Sequence, residues 1–211
     1  MPEVAALIPR LEKLGGQRSV VDAAAGRAPV GLIAASLLGW TRLIVLEQDP
    51  DRAASARRAA TRLEHCTVDV RVAPVADRTQ WPAQPDVVVA LHACGPASDD
   101  VVDVCIDRRA RHLLLVPCCT AHTVRAAALA QALADRHGIP RQPAVRQRFV
   151  QAVVDSERTL RLEAGGYQVK VGPLVPPTVT PHNLIWQARW VGSARRMADA
   201  AEQLARLAAA V

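Results

Sequence analysis

The chain has 211 residues, half of them hydrophobic, with 26 Lys and Arg against 20 Asp and Glu and a formal charge of +6. That suits one α/β domain with a full core and leaves little material for a second. No apolar run reaches the roughly 18 residues that span a bilayer, and the N-terminus lacks the basic, apolar and small-residue order of a signal peptide, so a soluble cytoplasmic protein without a membrane partner is expected. Nearly all the positive charge is arginine, only Lys13 and Lys170 being lysine. Arginine grips phosphate bidentately, but these arginines are scattered, and one Phe, one Tyr and four Trp leave little to stack on unpaired bases. Charge alone leaves nucleic acid and small-molecule partners both open. Five cysteines, an odd number lying mostly in or beside predicted strands, are expected to be reduced thiols.

In chain order, Val4, Ile8, Leu11 and Leu14 recur at helical spacing, which predicts a helix from Pro2 to Leu14 ending at Gly15-Gly16. Val20, Val21 and Asp22 close a first strand, Ala23 to Ala28 turn around Gly26, and Pro29 opens an apolar helix from Val30 to Leu38. Arg42 to Leu46 is a second strand, with Glu47 at its carboxyl end. In a parallel sheet these pieces make a half-site for a nucleoside. Glycine lets the backbone approach the ligand, the helix N-terminus favours negative charge, and the acid accepts from ribose hydroxyls. A dinucleotide's pyrophosphate wants Gly-x-Gly-x-x-Gly, and the matching positions are Ala24, Gly26 and Pro29. Proline has no N–H to give a phosphate, which weakens that reading. S-adenosylmethionine carries no phosphate, so one glycine and a few backbone contacts can serve it. An ordinary βαβ unit that binds nothing has the same pattern.

Pro50-Asp51 opens a polar helix to about His65, with Arg57, Arg58 and Arg62 on a solvated face. Thr67 to Val72 is a third strand, and Asp77 follows in a loop, either as an acceptor for an adenine amine or as a turn former. Pro85 to Leu91 is a continuous apolar run, as in a central strand, and it delivers His92-Ala93-Cys94-Gly95 to the carboxyl edge where open α/β sheets bind ligands. Ser98 or Asp99 is predicted to cap a helix through Val101, Val102 and Ile106. His112 to Val116 delivers Pro117-Cys118-Cys119-Thr120-Ala121-His122 to the same edge. Thr123 to His137 and Phe149 to Glu163 are predicted helices, the second placing Asp155 and Arg158 where they can pair. Tyr167 to Val175 and Leu184 to Trp190 are predicted strands. Ala194 to Val211 is a closing amphipathic helix with Met197, Leu204 and Leu207 on its apolar stripe.

Asp22-Ala-Ala-Ala-Gly26-Arg-Ala28 is similar to the methyltransferase motif Asp-x-Gly-x-Gly-x-Gly, with alanine at two of the glycine positions. Val89-Ala-Leu-His-Ala-Cys-Gly95 and Leu115-Val-Pro-Cys-Cys119 are more specific. With Asp155 to Tyr167 and Thr180-Pro-His-Asn-Leu-Ile185, they resemble the LHACG/PCC class I methyltransferases. That group includes methyltransferase-like protein 25, the glutathione S-transferase C-terminal-domain-containing protein and, distantly, tRNA acceptor-stem 2′-O-methyltransferases. The resemblance covers about Val20 to Trp190.

The resemblance implies one domain over residues 1–211, with an N-terminal helix in 1–16 and a C-terminal helix in 193–211. The implied fold is a Rossmann-like seven-stranded sheet, mostly parallel, with an antiparallel C-terminal hairpin and helices on both faces. The implied activity is in-line methyl transfer from S-adenosylmethionine to RNA or to a small molecule, the alternative being a cofactor-binding homologue without turnover. The implied cofactor-binding set is Asp22, Ala24, Gly26, Glu47, Gln48, Asp77, Leu91 and His92. His92, the first polar side chain after the fourth strand, is the candidate base or else a hydrogen bond that fixes the loop, and Cys94 is a candidate nucleophile. His92, Cys94, Cys118, Cys119 and His122 have the chemistry of zinc ligands. Adjacent cysteines rarely aim both sulfurs at one tetrahedral centre, and Cys-x-x-Cys spacing is absent, so no metal is expected.

Overall fold

Four apolar runs become the centre of the sheet, because a strand buried on both faces has no solvated side for polar residues. They are β1 (Val20–Ala23), β2 (Arg42–Glu47), β4 (Val87–Leu91) and β5 (His112–Val116), and β1 and β4 are buried along their whole length. β3 (Thr67–Val72), β6 (Tyr167–Pro173) and β7 (Leu184–Trp190) complete seven strands in the order β3-β2-β1-β4-β5-β7-β6. All pairings are parallel except those of β7, which runs antiparallel to β5 and β6. The computed structural model describes residues 1–15, 19–117, 122–180 and 183–210. Gly16, Cys118, Cys119 and Pro181 of the motifs above lie outside them.

Successive strand residues serve opposite faces, as a period of two requires. Val20, Leu43, Val87 and Val89 pack under α1 (Pro2–Glu12), α2 (Pro29–Leu38) and α3 (Pro50–Ala60). Val21, Ile44, Val88 and Ala90 pack under α4 (Pro96–Arg108) and Leu162 of α6 (Pro143–Ala164). α5 (Ala127–Arg136) and α7 (Ala194–Ala209) lie against α6. On α7 Ala200 is buried, and Met197, Leu204 and Leu207 are half-buried on its inner side. The chain leaves β1 for β2 on one side and reaches β4 on the other, so the order reverses between β1 and β4, where ligands bind in such sheets.

Several boundaries move for local reasons. α6 begins at Pro143, ahead of the expected Phe149, with proline in its first turn where the missing N–H costs nothing. α5 begins at Ala127 rather than Thr123, because residues 122–126 turn to bring the Arg125 N–H to Asp99. Neither Ser98 nor Asp99 caps α4. Gly95 stands at the cap, and the Ser98 hydroxyl donates back to the Gly95 carbonyl at 2.9 Å. Asp99 is buried and held by Arg161 of α6 at 2.5 Å. No helix among the described residues is long and apolar enough to cross a membrane.

Candidate active site

The turn after β1 alternates in hand. Ala24, Gly26 and Ala28 have φ of 52°, 60° and 54°, so all three glycine positions of the motif are left-handed, although two hold alanine. The loop is fixed to the end of β2 by two bonds. The Ala25 N–H donates to the Leu46 carbonyl at 3.1 Å, and the Gly26 N–H donates to Glu47 Oε2 at 2.6 Å. Glu47 Oε1 accepts from the Asp49 N–H at 2.9 Å, so one buried carboxylate ties the end of β2 to the glycine turn.

Asp22 is buried beneath the start of α2 and accepts from the Gly31 N–H at 2.8 Å. A Cβ at Gly31 would lie 2.8 Å from Asp22 Oδ2 and 3.0 Å from Leu43 Cδ2, so only glycine lets helix and strand come this close. Burial pushes the Asp22 carboxyl up to about 7; the Gly31 N–H opposes that rise and the Glu47 charge adds to it.

Two cavities open over this edge. One, of about 390 Å³, is lined by Asp22, Ala25, Gly26, Pro29 and Leu91 among others. The second, of about 330 Å³, is lined by Glu47, Gln48, Ala73, Pro74, Val75, Cys94, Pro96, Ala97 and Asp100. Ala24, Arg52 and His92 belong to both walls. His92 has φ of 64°, and its N–H donates to the Val116 carbonyl at 2.9 Å, so the sharp turn after β4 is held by the β5 strand beside it.

Of the expected set, Asp22, Ala24, Gly26, Glu47, Gln48, Leu91 and His92 are brought together here. Asp77 is not. It lies outside both linings and caps a short 3-10 turn (Arg78–Gln80), its Oδ1 accepting from the Thr79 N–H at 3.0 Å and the Thr79 hydroxyl at 2.6 Å. Those bonds hold its carboxyl below the usual range and fix it as a turn former.

The expectation of reduced thiols also needs correction. Cys66 and Cys105 are free and buried, but Cys94 is disulfide-bonded, so it offers no thiolate as a nucleophile. His122 is exposed in a turn, and no group of three His, Cys, Asp or Glu able to hold a metal is found among the described residues.

Three residues were missed by the sequence reading: Gly31, Arg52 and Asp100. Gly31 is the one glycine inside α2, a signal that could have found it. Nothing local distinguishes Arg52 and Asp100 from other charged residues near a helix N-terminus.

Residues 2–126, more than half of the chain, match a family model described as a methyltransferase domain. The chain belongs to this methyltransferase family. A relative from Drosophila pseudoobscura pseudoobscura, a glutathione S-transferase C-terminal domain-containing protein homolog, is 26% identical over 204 residues. The match takes in 82% of this chain and 33% of that protein, so the chain spans about a third of the length of the curated relative it matches.

Among solved structures, the magnesium protoporphyrin IX methyltransferase of Synechocystis PCC 6803 with bound SAH aligns with a TM-score of 0.56 at 14% identity, covering 89% of this chain and 81% of that one. The Pyrococcus abyssi tRNA (uracil-54, C5)-methyltransferase in complex with S-adenosyl-L-homocysteine gives 0.53 at 13% identity, covering 88% and 38%. Likeness at that identity shows the fold alone, which this chain shares with those two methyltransferases. The residues present suit the cofactor such a domain implies: a left-handed turn at the switch point, a buried acid at the end of β2, and two joined cavities.

Proposed function

We propose that this methyltransferase domain binds S-adenosylmethionine across the two cavities and transfers its methyl to a nucleophile presented beside His92. The observation that carries this reading is the meeting of both cavities at Ala24, Arg52 and His92, over the carboxyl ends of β1, β2 and β4. S-adenosylmethionine supplies an electrophilic methyl on a sulfonium, open to in-line attack. Much of the chain's work is then positioning. Glu47 keeps acceptor capacity beyond its two backbone N–H bonds, enough for ribose hydroxyls. His92 stands in the common wall as the base for a protonated acceptor.

RNA is the acceptor favoured by the +6 charge, by the resemblance of the motifs and by the tRNA substrate of one fold neighbour. A small molecule is favoured by a specific observation. Arg71, Arg146, Arg158 and Arg161 are each ion-paired within the chain and mostly covered, which removes them from a phosphate-binding surface.

Calorimetry tests the cofactor. S-adenosylhomocysteine should bind and NAD should not, and Glu47→Ala should weaken binding by roughly 1–3 kcal/mol. Tighter binding of NAD would sink the assignment. With labelled cofactor, transfer to an RNA fraction that collapses between about 50 and 200 mM salt marks an RNA enzyme. Transfer to metabolites alone marks the other class. His92→Ala should cut single-turnover transfer about a hundredfold with cofactor affinity unchanged. A joint fall of rate, affinity and melting temperature would reduce His92 to a loop support.

A further inference from the structure

The second cavity has an apolar part. Ala73, Pro74 and Val75, after β3, line it together with Pro96 and Ala97, from the first turn of α4, so small apolar side chains from two segments offer a surface on which a flat ring can lie. Glu47 adjoins the glycine turn and is bonded to it, which assigns that end of the cavity to the sugar. Asp100 is a second carboxylate in the lining.

Three acids of α4, Asp99, Asp100 and Asp103, divide by helical spacing. Asp99 and Asp103, four apart, share a face turned to α6 and to the segment before α5, where Asp99 is held by Arg161 and the Arg125 N–H, and Asp103 by Arg125 and Arg161. Pro96 and Asp100, also four apart, share the face that lines this cavity. Asp100 makes no hydrogen bond or ion pair among the described residues. Partial burial and the charges of Asp103 and Asp99 push its carboxyl above the usual range, opposed by Arg125 and Arg78. A carboxylate held in this field without a partner is a ready acceptor for a donor brought by a ligand.

Resting on the cofactor reading above, we propose that Asp100 accepts a hydrogen bond from the exocyclic amine of the cofactor's adenine, and so selects adenine over bases with a carbonyl at that position. It takes the place expected of Asp77, whose oxygen is occupied by Thr79. The amine is a donor, as a carboxylate requires. A carbonyl oxygen there would face an acceptor with no proton between them, leaving a partly buried polar pair unmatched.

Binding of S-adenosylhomocysteine and of S-inosylhomocysteine, which replaces the amine with oxygen, tests this in the wild-type chain and in Asp100→Ala and Asp100→Asn. The wild type should prefer the adenine compound at least about tenfold. Asp100→Ala should bind S-adenosylhomocysteine about tenfold more weakly and distinguish the two compounds less than about twofold, with its melting temperature unchanged. Asp100→Asn, whose amide offers both a donor and an acceptor, should also narrow the preference and serves should the alanine variant fold poorly. Wild-type preference retained in both variants, or absent from the wild type, overturns the role of Asp100 and leaves the cofactor reading intact. A folded wild type that binds neither compound overturns both.

Discussion

Ala24 and Ala28 hold a left-handed backbone that costs an L-residue with a Cβ about 1–2 kcal/mol and glycine almost nothing. The two positions differ in what the methyl returns. Ala28 is fully buried, whereas Ala24 is half-exposed in the wall common to both cavities. Glycine relieves the strain at either position but adds about 0.4–1 kcal/mol of unfolded-chain entropy. At Ala28 it also forfeits about 0.8 kcal/mol of burial. Ala24→Gly should therefore stabilise the chain by about 0.5 kcal/mol and Ala28→Gly should be neutral, as read by denaturant midpoints. Destabilisation of both by more than about 1 kcal/mol would mean that the turn is not strained.

Asp22 sets a pH dependence at the same scale. Its folded pKa of about 7 stands above the ordinary 3.8, so the folded protein holds a proton that the unfolded chain releases between those values. Its contribution to stability is fully present below about 3.8 and is lost as pH rises through about 7. Wild type should lose stability relative to Asp22→Asn between about pH 4 and pH 7, and a constant difference would show that Asp22 does not titrate there.

At the scale of elements, α6 is the tie between the two loops of the ligand edge. Arg161, 7% exposed, reaches Asp99 at 2.5 Å and Asp103 at 3.2 Å on α4, and lies 3.5 Å from Glu157 on its own helix. Asp99 in turn receives the Arg125 N–H from the segment after β5. Arg158 pairs with Asp155 at 3.2 Å as the spacing predicts, stacks 5.2 Å over the Trp186 ring, and donates at 3.2 Å to the Ser98 hydroxyl that holds the Gly95 carbonyl. Both loops are thereby fastened to one helix by buried charge. Arg161→Met leaves Asp99 and Glu157 buried and uncompensated, a loss of about 3–5 kcal/mol. Adding Asp99→Asn should recover part of it. A single-variant loss below about 1 kcal/mol in equilibrium unfolding would show the network to be solvated.

For the whole molecule, what the sequence by itself determined is the succession of elements and the edge at which they deliver chemistry. Continuous apolar runs, the Gly26 turn and the acid at the end of β2 are local patterns, so β1 to β5, the β6–β7 hairpin and the gathering of Asp22, Gly26, Glu47 and His92 were legible without coordinates. The LHACG and PCC motifs carried the resemblance that the family match now establishes. Only the tertiary structure decided which acids line the cavities. Asp77 is satisfied within its own turn, while Asp99, Asp100 and Asp103 are sorted by partners from other segments; Arg161 stands 62 residues from Asp99. It also decided that Ser98 does not cap α4, that Cys94 is bonded, and that alanine keeps glycine's conformation at two positions. The physical reason is range. Periodicity and turn chemistry act over a few residues, whereas the orientation of a polar side chain depends on whichever distant group can satisfy it.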